Sequence, residues 1–106
     1  RREREYRLTN GKSYQIFMAP SAHRRYKKFD PPLKQKVRQE VGTLAEEPHR
    51  YEELKGTLKG VRSYHFEYEK TQYRIAYRII EDRNEIEIVL VKSRESFYQA
   101  LRQIVR

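Results

Sequence analysis

The sequence predicts a two-layer α+β domain, a helical hairpin packed on a mainly antiparallel four-stranded sheet with a short C-terminal helix. Three observations predict it. Between Tyr64 and Val91, three runs alternate apolar and polar residues at period two: Tyr64-His65-Phe66-Glu67-Tyr68, Tyr73-Arg74-Ile75-Ala76-Tyr77-Arg78-Ile79 and Ile86-Glu87-Ile88-Val89-Leu90-Val91. Aromatic and β-branched residues interleaved with charges mark strands covered on one face only. Upstream, Asp30-Pro31-Pro32 is followed by Leu33, Val37, Val41 and Leu44 at spacings of four, four and three, the signature of a helix with one buried stripe. Downstream, Phe97, Leu101 and Ile104 or Val105 recur at helical spacing.

The chain has 106 residues, which predicts one domain and one modest core. Residues 1–13 are mostly charged and polar, with one Leu and one Tyr, and read as a solvated extension ahead of a single domain over residues 14–106. Arg1, Arg2, Arg4, Arg7 and Lys12 make that extension basic. Tyr14-Gln15-Ile16-Phe17-Met18 predicts the first strand, ended by Ala19-Pro20. Ser21 is placed to cap a helix through Phe29, whose stripe is Ala22, Tyr26 and Phe29 and whose remaining face, His23-Arg24-Arg25 and Lys27-Lys28, is basic. Asp30 caps the second helix and Pro31 suits its first position. Gly42 costs that helix about 1 kcal/mol relative to Ala, and Glu46-Glu47-Pro48 stops it after Ala45. A loop over His49–Glu53 leads to Leu54-Lys55-Gly56 and Leu58-Lys59-Gly60, whose glycines permit tight turns. Ser93 or Ser96 is placed to cap the final helix, with Phe97 inward and Tyr98 about 100 degrees round from it.

Register decides which polar residues meet. Pairing Tyr68 with Tyr73 across the polar break Glu69–Gln72 sets Phe66 opposite Ile75, Tyr64 opposite Tyr77, and Glu67 opposite Arg74. Tyr64, Phe66, Ile75 and Tyr77 then line the core face under the helices, and the other face displays His65, Glu67 and Arg74. Glu67 facing Arg74 reads either as an exposed ion pair, worth at most about 1 kcal/mol, or as part of a reactive cluster. His65 reads either as a surface residue or as a proton carrier, because an unperturbed imidazole titrates near about pH 6.5. An Arg on the middle of a non-core sheet face suits phosphate.

Composition narrows the partners. The net charge is +9, from 24 Lys and Arg against 15 Asp and Glu, which favours polyanions: nucleic acid, the ribosome or an acidic protein. The hydrophobic fraction is only 37%, so the nine Tyr carry much of the apolar mass and several keep a hydroxyl near water. With no Cys, disulfide frameworks and thiolate metal sites are excluded. The three His lie far apart in sequence, and neither a dinucleotide fingerprint nor a P-loop is present, so no metal and no cofactor are expected. No apolar run is long enough for a signal peptide or a membrane span, so the expectation is a cytoplasmic protein without a membrane partner.

Several short pieces, in order and spacing, carry a resemblance. They are Pro20-Ser21-Ala22 after the first strand, the turns Leu54-Lys55-Gly56 or Leu58-Lys59-Gly60, Tyr73-Arg74-Ile75-Ala76-Tyr77, and Arg94 followed by Phe97-Tyr98. Over about Tyr14 to Ile104 the chain resembles the RelE/ParE superfamily of bacterial and archaeal toxins. Members resembling RelE cut messenger RNA in the ribosomal A site through attack by the RNA's own 2′-hydroxyl, and an adjacent antitoxin blocks them. Members resembling ParE share the fold and poison DNA gyrase. The resemblance implies a ribosome-dependent endoribonuclease toxin that inhibits translation, with the ribosome, messenger RNA and a cognate antitoxin as partners; the alternative is a ParE-like gyrase inhibitor or an inactive binding protein of the same fold.

The resemblance also assigns roles. Arg74 matches the strand arginine that contacts the reacting phosphate, Arg94 or Lys92 the second basic position, and Tyr98 the C-terminal tyrosine. Lys55, Lys59, Arg62, Arg78 and Lys92 are the expected RNA-binding cations. RelE-like members often carry two basic residues where this chain has His65 and Glu67, a departure that resembles YoeB-type relatives, which use a Glu and a His. Glu52, or Glu53 one residue along, aligns with the YoeB-type glutamate.

Overall fold

A computed structural model describes residues 5–10 and 13–105. It contains β1 (Tyr6–Asn10), β2 (Gln15–Met18), α1 (Pro20–Tyr26), α2 (Pro31–Glu46), β3 (Glu52–Glu53), β4 (Arg62–Tyr68), β5 (Thr71–Ile80), β6 (Glu85–Ser93) and α3 (Phe97–Ile104). The strands form one six-stranded sheet in the order β1-β2-β6-β5-β4-β3, with β2 and β6 parallel and the other neighbours antiparallel. The α+β class and the helical hairpin are as expected. The four expected strands are the central ones, and two short strands extend the edges. One of these, β1, comes from the segment read as a solvated extension: it pairs with β2, Tyr6 opposite Met18. Arg1, Arg2, Arg4 and Lys12 lie outside the described residues.

Helix starts follow local chemistry more closely than the sequence suggests. Ser21 does not cap α1. The helix opens on Pro20 after an extended Ala19, and Ser21 Oγ donates to the Val89 carbonyl at 3.0 Å, tying the helix to β6. Asp30 does cap α2, its Oδ1 accepting from the Leu33 N–H at 3.2 Å. Neither Ser93 nor Ser96 caps α3 with its side chain; Ser96 enters the helix in the left-handed region at φ 56°.

Two cores flank the sheet where one was expected. Under the hairpin, Ala22, Tyr26, Leu33, Val37, Val41 and Leu44 pack on a sheet face bearing Tyr64, Phe66, Ile75 and Tyr77. On the opposite face, Phe97 and Leu101 of α3 pack on Leu54, Leu58, Val61, Ala76, Val89 and Leu90. Two buried tyrosine hydroxyls find partners: Tyr77 donates to the Pro48 carbonyl and Tyr64 to Glu40 Oε1, both at 2.6 Å.

Two backbone features set the register. The β4–β5 turn has only two residues, Glu69 and Lys70, and Tyr68 pairs with Thr71. The expected register is therefore displaced by two residues. Phe66 faces Tyr73, Tyr64 faces Ile75, and Arg74 faces His65 instead of Glu67. A slip of two preserves every side chain's face and changes only its opposite number. In β6, Ala76 pairs with Leu90 but Tyr77 pairs with Ile88, leaving Val89 as a bulged residue. Ile86 and Ile88 thus point to the hairpin core, while Val89 and Leu90 both point to the α3 core.

Candidate active site

The α3 face of the sheet is apolar only in part. The row Ser63–Ala76–Leu90 lies within the α3 core region. One step along, the row is His65 on β4, Arg74 on β5 and Lys92 on β6, each directly opposite the next. A further step gives Glu67 and Gln72, with the Arg94 N–H donating to the Gln72 carbonyl at 2.9 Å. Strand alternation puts all of these side chains on one face. The first turn of α3 walls the site: the Arg74 guanidinium lies 5.0 Å from the centre of the Tyr98 ring, in cation–π contact.

Electrostatics distinguish the members. His65 is exposed but flanked, and its imidazole is held below the ordinary histidine range. Partial burial is the main cause and the charge of Arg74 adds to it, while the Glu52 carboxylate partly offsets both. At neutral pH His65 is an uncharged acceptor set beside a fixed cation. Among the described residues no carboxylate forms an ion pair with Arg74, which leaves its charge for a ligand. Lys92 donates its ammonium to the Glu95 carbonyl, which holds the side chain toward the start of α3.

The sequence-derived candidates separate accordingly. His65, Arg74, Lys92 and Tyr98 come together. Arg94 stands exposed at the rim, and Glu67 sits one row away, where it accepts from Gln72 Nε2 at 3.1 Å instead of pairing with Arg74. Of the two glutamates weighed for the loop, Glu52 is the one that acts on His65. Glu53 is engaged elsewhere, accepting from the Gly60 N–H at 3.0 Å and facing Arg62 at 3.6 Å. Arg62 points to the hairpin face, donating to the His49 and Tyr51 carbonyls at 3.1 and 2.7 Å. Arg78 shares the site's face but lies two alternations from Arg74, about 13 Å along the strand, and faces Glu87 at 3.3 Å. Lys55 and Lys59 are exposed on the turns before β4. Lys70 and Gln72, which border the site, were not among the candidates; the sequence offered only a polar break at that position.

The arrangement suits anionic chemistry: a neutral proton acceptor, a strand arginine, a second cation in line, and an aromatic ring for a base or sugar to rest on. Among the described residues, no group of three or more His, Asp or Glu side chains is placed to hold a metal ion, and no helix is long and apolar enough to cross a membrane.

Comparisons with known proteins bear on the family and the fold. The family model of the ParE-like toxins of type II bacterial toxin–antitoxin systems matches residues 16–102. A chain of the Mycobacterium tuberculosis toxin–antitoxin complex RelBE2 superposes with a TM-score of 0.65 at 28% identity, over 77% of this chain and 99% of that one. The isolated Escherichia coli RelE toxin gives a TM-score of 0.61 at 18% identity, over 86% and 98% of the two chains. A chain of the intact E. coli RelBE complex gives 0.60 at 15% identity, over 74% and 93%. At these lower identities the likeness is one of fold. No curated protein matches the chain by sequence.

Proposed function

The chain belongs to the ParE-like toxin family of type II bacterial toxin–antitoxin systems, and within it we propose that it acts as a ribosome-dependent endoribonuclease that cleaves messenger RNA and so stops translation. The observation that carries the reading is the row His65–Arg74–Lys92 with Tyr98 against Arg74, on an accessible face of a strongly basic domain.

In this mechanism His65, neutral at physiological pH, takes the proton from a ribose 2′-hydroxyl, with the Glu52 charge stabilising the imidazolium that forms. The 2′-oxygen bonds to the adjacent phosphorus, and the phosphorane's charge falls between Arg74 and Lys92. The bond from phosphorus to the 5′-oxygen then breaks, the leaving oxygen takes up a proton, and a 2′,3′-cyclic phosphate remains. Tyr98 orients the nucleotide by stacking, a role that its contact with Arg74 prepares. Arg94, Lys55 and Lys59 add attraction for the strand. A cognate antitoxin is the expected regulator, since the matching RelBE structures are toxin–antitoxin complexes; an acidic segment lying over the basic face would mask the cations.

Membership of a ParE-like family favours a second reading, a gyrase inhibitor. Induction in cells with primer extension on a reporter messenger separates the two. Codon-phased cuts support the nuclease, whereas intact messenger with DNA damage supports the gyrase inhibitor.

A further inference from the structure

At the lip of the sheet, one row beyond Arg74 and Lys92, lies a cleft of about 270 Å³ lined by Lys70, Thr71, Gln72, Ser93, Arg94 and Glu95. Its walls are rigidly joined. Tyr73 pairs with Ser93, and the Arg94 N–H bonds to the Gln72 carbonyl. Its rim is the two-residue turn, where Glu69 and Lys70 both adopt positive φ, 49° and 68°. Turns of this type favour Asn-Gly because a Cβ is disfavoured there. The chain instead carries a lysine at the second position and so sets an ammonium on the cleft, at a conformational cost that glycine would avoid.

We propose that this cleft binds a second phosphate of the substrate strand, the one adjacent to the scissile phosphate. The inference rests on the nuclease reading above. One alternation of a strand, two residues, spans about 7 Å, comparable with the step between consecutive phosphates of an extended single strand. A strand whose reacting phosphate sits between Arg74 and Lys92 therefore brings its neighbour to Lys70 and Arg94. The cleft offers two cations, Lys70 and Arg94, and a second N–H on the Gln72 amide, whose first is given to Glu67. The Glu95 carboxylate lines one wall and opposes the anion, so the site is tuned below its maximum affinity.

The test is a nuclear magnetic resonance titration of the full chain with two probes that contain 2′-deoxyribose and cannot be cut: a dinucleoside monophosphate with one phosphate and a trinucleoside diphosphate with two. Both should shift the amides of His65, Arg74 and Lys92. Only the two-phosphate probe should shift those of residues 70–72 and 93–95. Lys70→Gly, which relieves the turn, should raise the melting temperature yet weaken the two-phosphate probe several-fold and reduce its log–log salt slope by about 0.7. Lys27→Ala, with the same change in charge just past the end of α1, should leave that slope unchanged. Glu95→Gln should tighten the two-phosphate probe. If the row responds to both probes while the cleft amides and the Lys70→Gly salt slope stay unmoved, the cleft is not a phosphate site and the nuclease reading stands. If neither probe moves the row, the premise fails and the cleft proposal falls with it.

Discussion

The two faces of the sheet are built from the same strands, and they differ in what covers them. The face under the helical hairpin is sealed along its central strands by α1 and α2, with Ile75 and Tyr77 fully buried. The opposite face is sealed only over half its length. Phe97 and Leu101 close the end bearing Ala76 and Leu90, and the eight-residue α3 stops short of the rows bearing His65, Arg74 and Lys92. Burial decides the chemistry on each side. Tyr64 and Tyr77 on the covered face donate their hydroxyls to a carboxylate and a carbonyl and are spent on structure, whereas Arg74 on the half-covered face forms no ion pair with any described carboxylate. Arg74 and Ile75 are adjacent in sequence and lie on opposite sides of this divide.

That pair gives the sharpest way to break the comparison. Arg74→Ala should reduce messenger cleavage by about 10²–10³ while leaving circular dichroism and the melting transition nearly unchanged. Cleavage at the parent rate would remove Arg74 from the site. Its neighbour should behave in the opposite manner. Ile75→Ala opens a cavity in the hairpin core and should cost about 2–5 kcal/mol of stability, read by urea unfolding, while the molecules that remain folded retain their activity.

A smaller effect joins the two faces through electrostatics. His65 is held below its ordinary pKa by burial first and Arg74 second. Arg74→Ala should therefore move the imidazole titration upward while leaving it below the free-histidine value, as followed by nuclear magnetic resonance. An unmoved titration would mean that the two groups do not face each other. The sign for the intact protein follows from the same shift. The unfolded chain binds the His65 proton more tightly than the folded one, so the associated stability is present above about pH 6.5 and is lost as pH falls through the folded value. Activity that needs the neutral imidazole should fall over the same range.

The smallest effect is expected at Glu67. The register places it opposite Gln72, one row from Arg74, so Glu67→Gln should change cleavage by no more than a few-fold and stability by less than about 0.5 kcal/mol. A severe loss of activity would transfer the base role from His65 to Glu67 and would require the row to be redrawn.

Much of this was legible in the chain. Period-two alternation identified β4, β5 and β6, the Asp30-Pro31 start and the Leu33–Leu44 stripe identified α2, and the face carrying His65, Glu67 and Arg74 followed from alternation alone, because alternation is a local consequence of strand geometry. Strand β1 escaped because its residues are mostly polar or charged, and an edge strand can form from backbone pairing with little apolar signal.

The sequence by itself therefore determined the course of β4, β5, β6 and α2 and which face each side chain of β4 and β5 takes. Which residues meet was decided only by the tertiary structure. A two-residue turn in place of a longer break moved His65, not Glu67, opposite Arg74. The bulge at Val89 decided the rest. Strict alternation through Ile86, Ile88 and Leu90 would carry Lys92 onto the hairpin core, and the one extra residue reverses the phase and turns Lys92 into line with Arg74. Alternation is written in each strand separately, but a turn's length and a bulge's position are set by how neighbouring strands satisfy one another's hydrogen bonds, and that is information no single stretch of sequence contains.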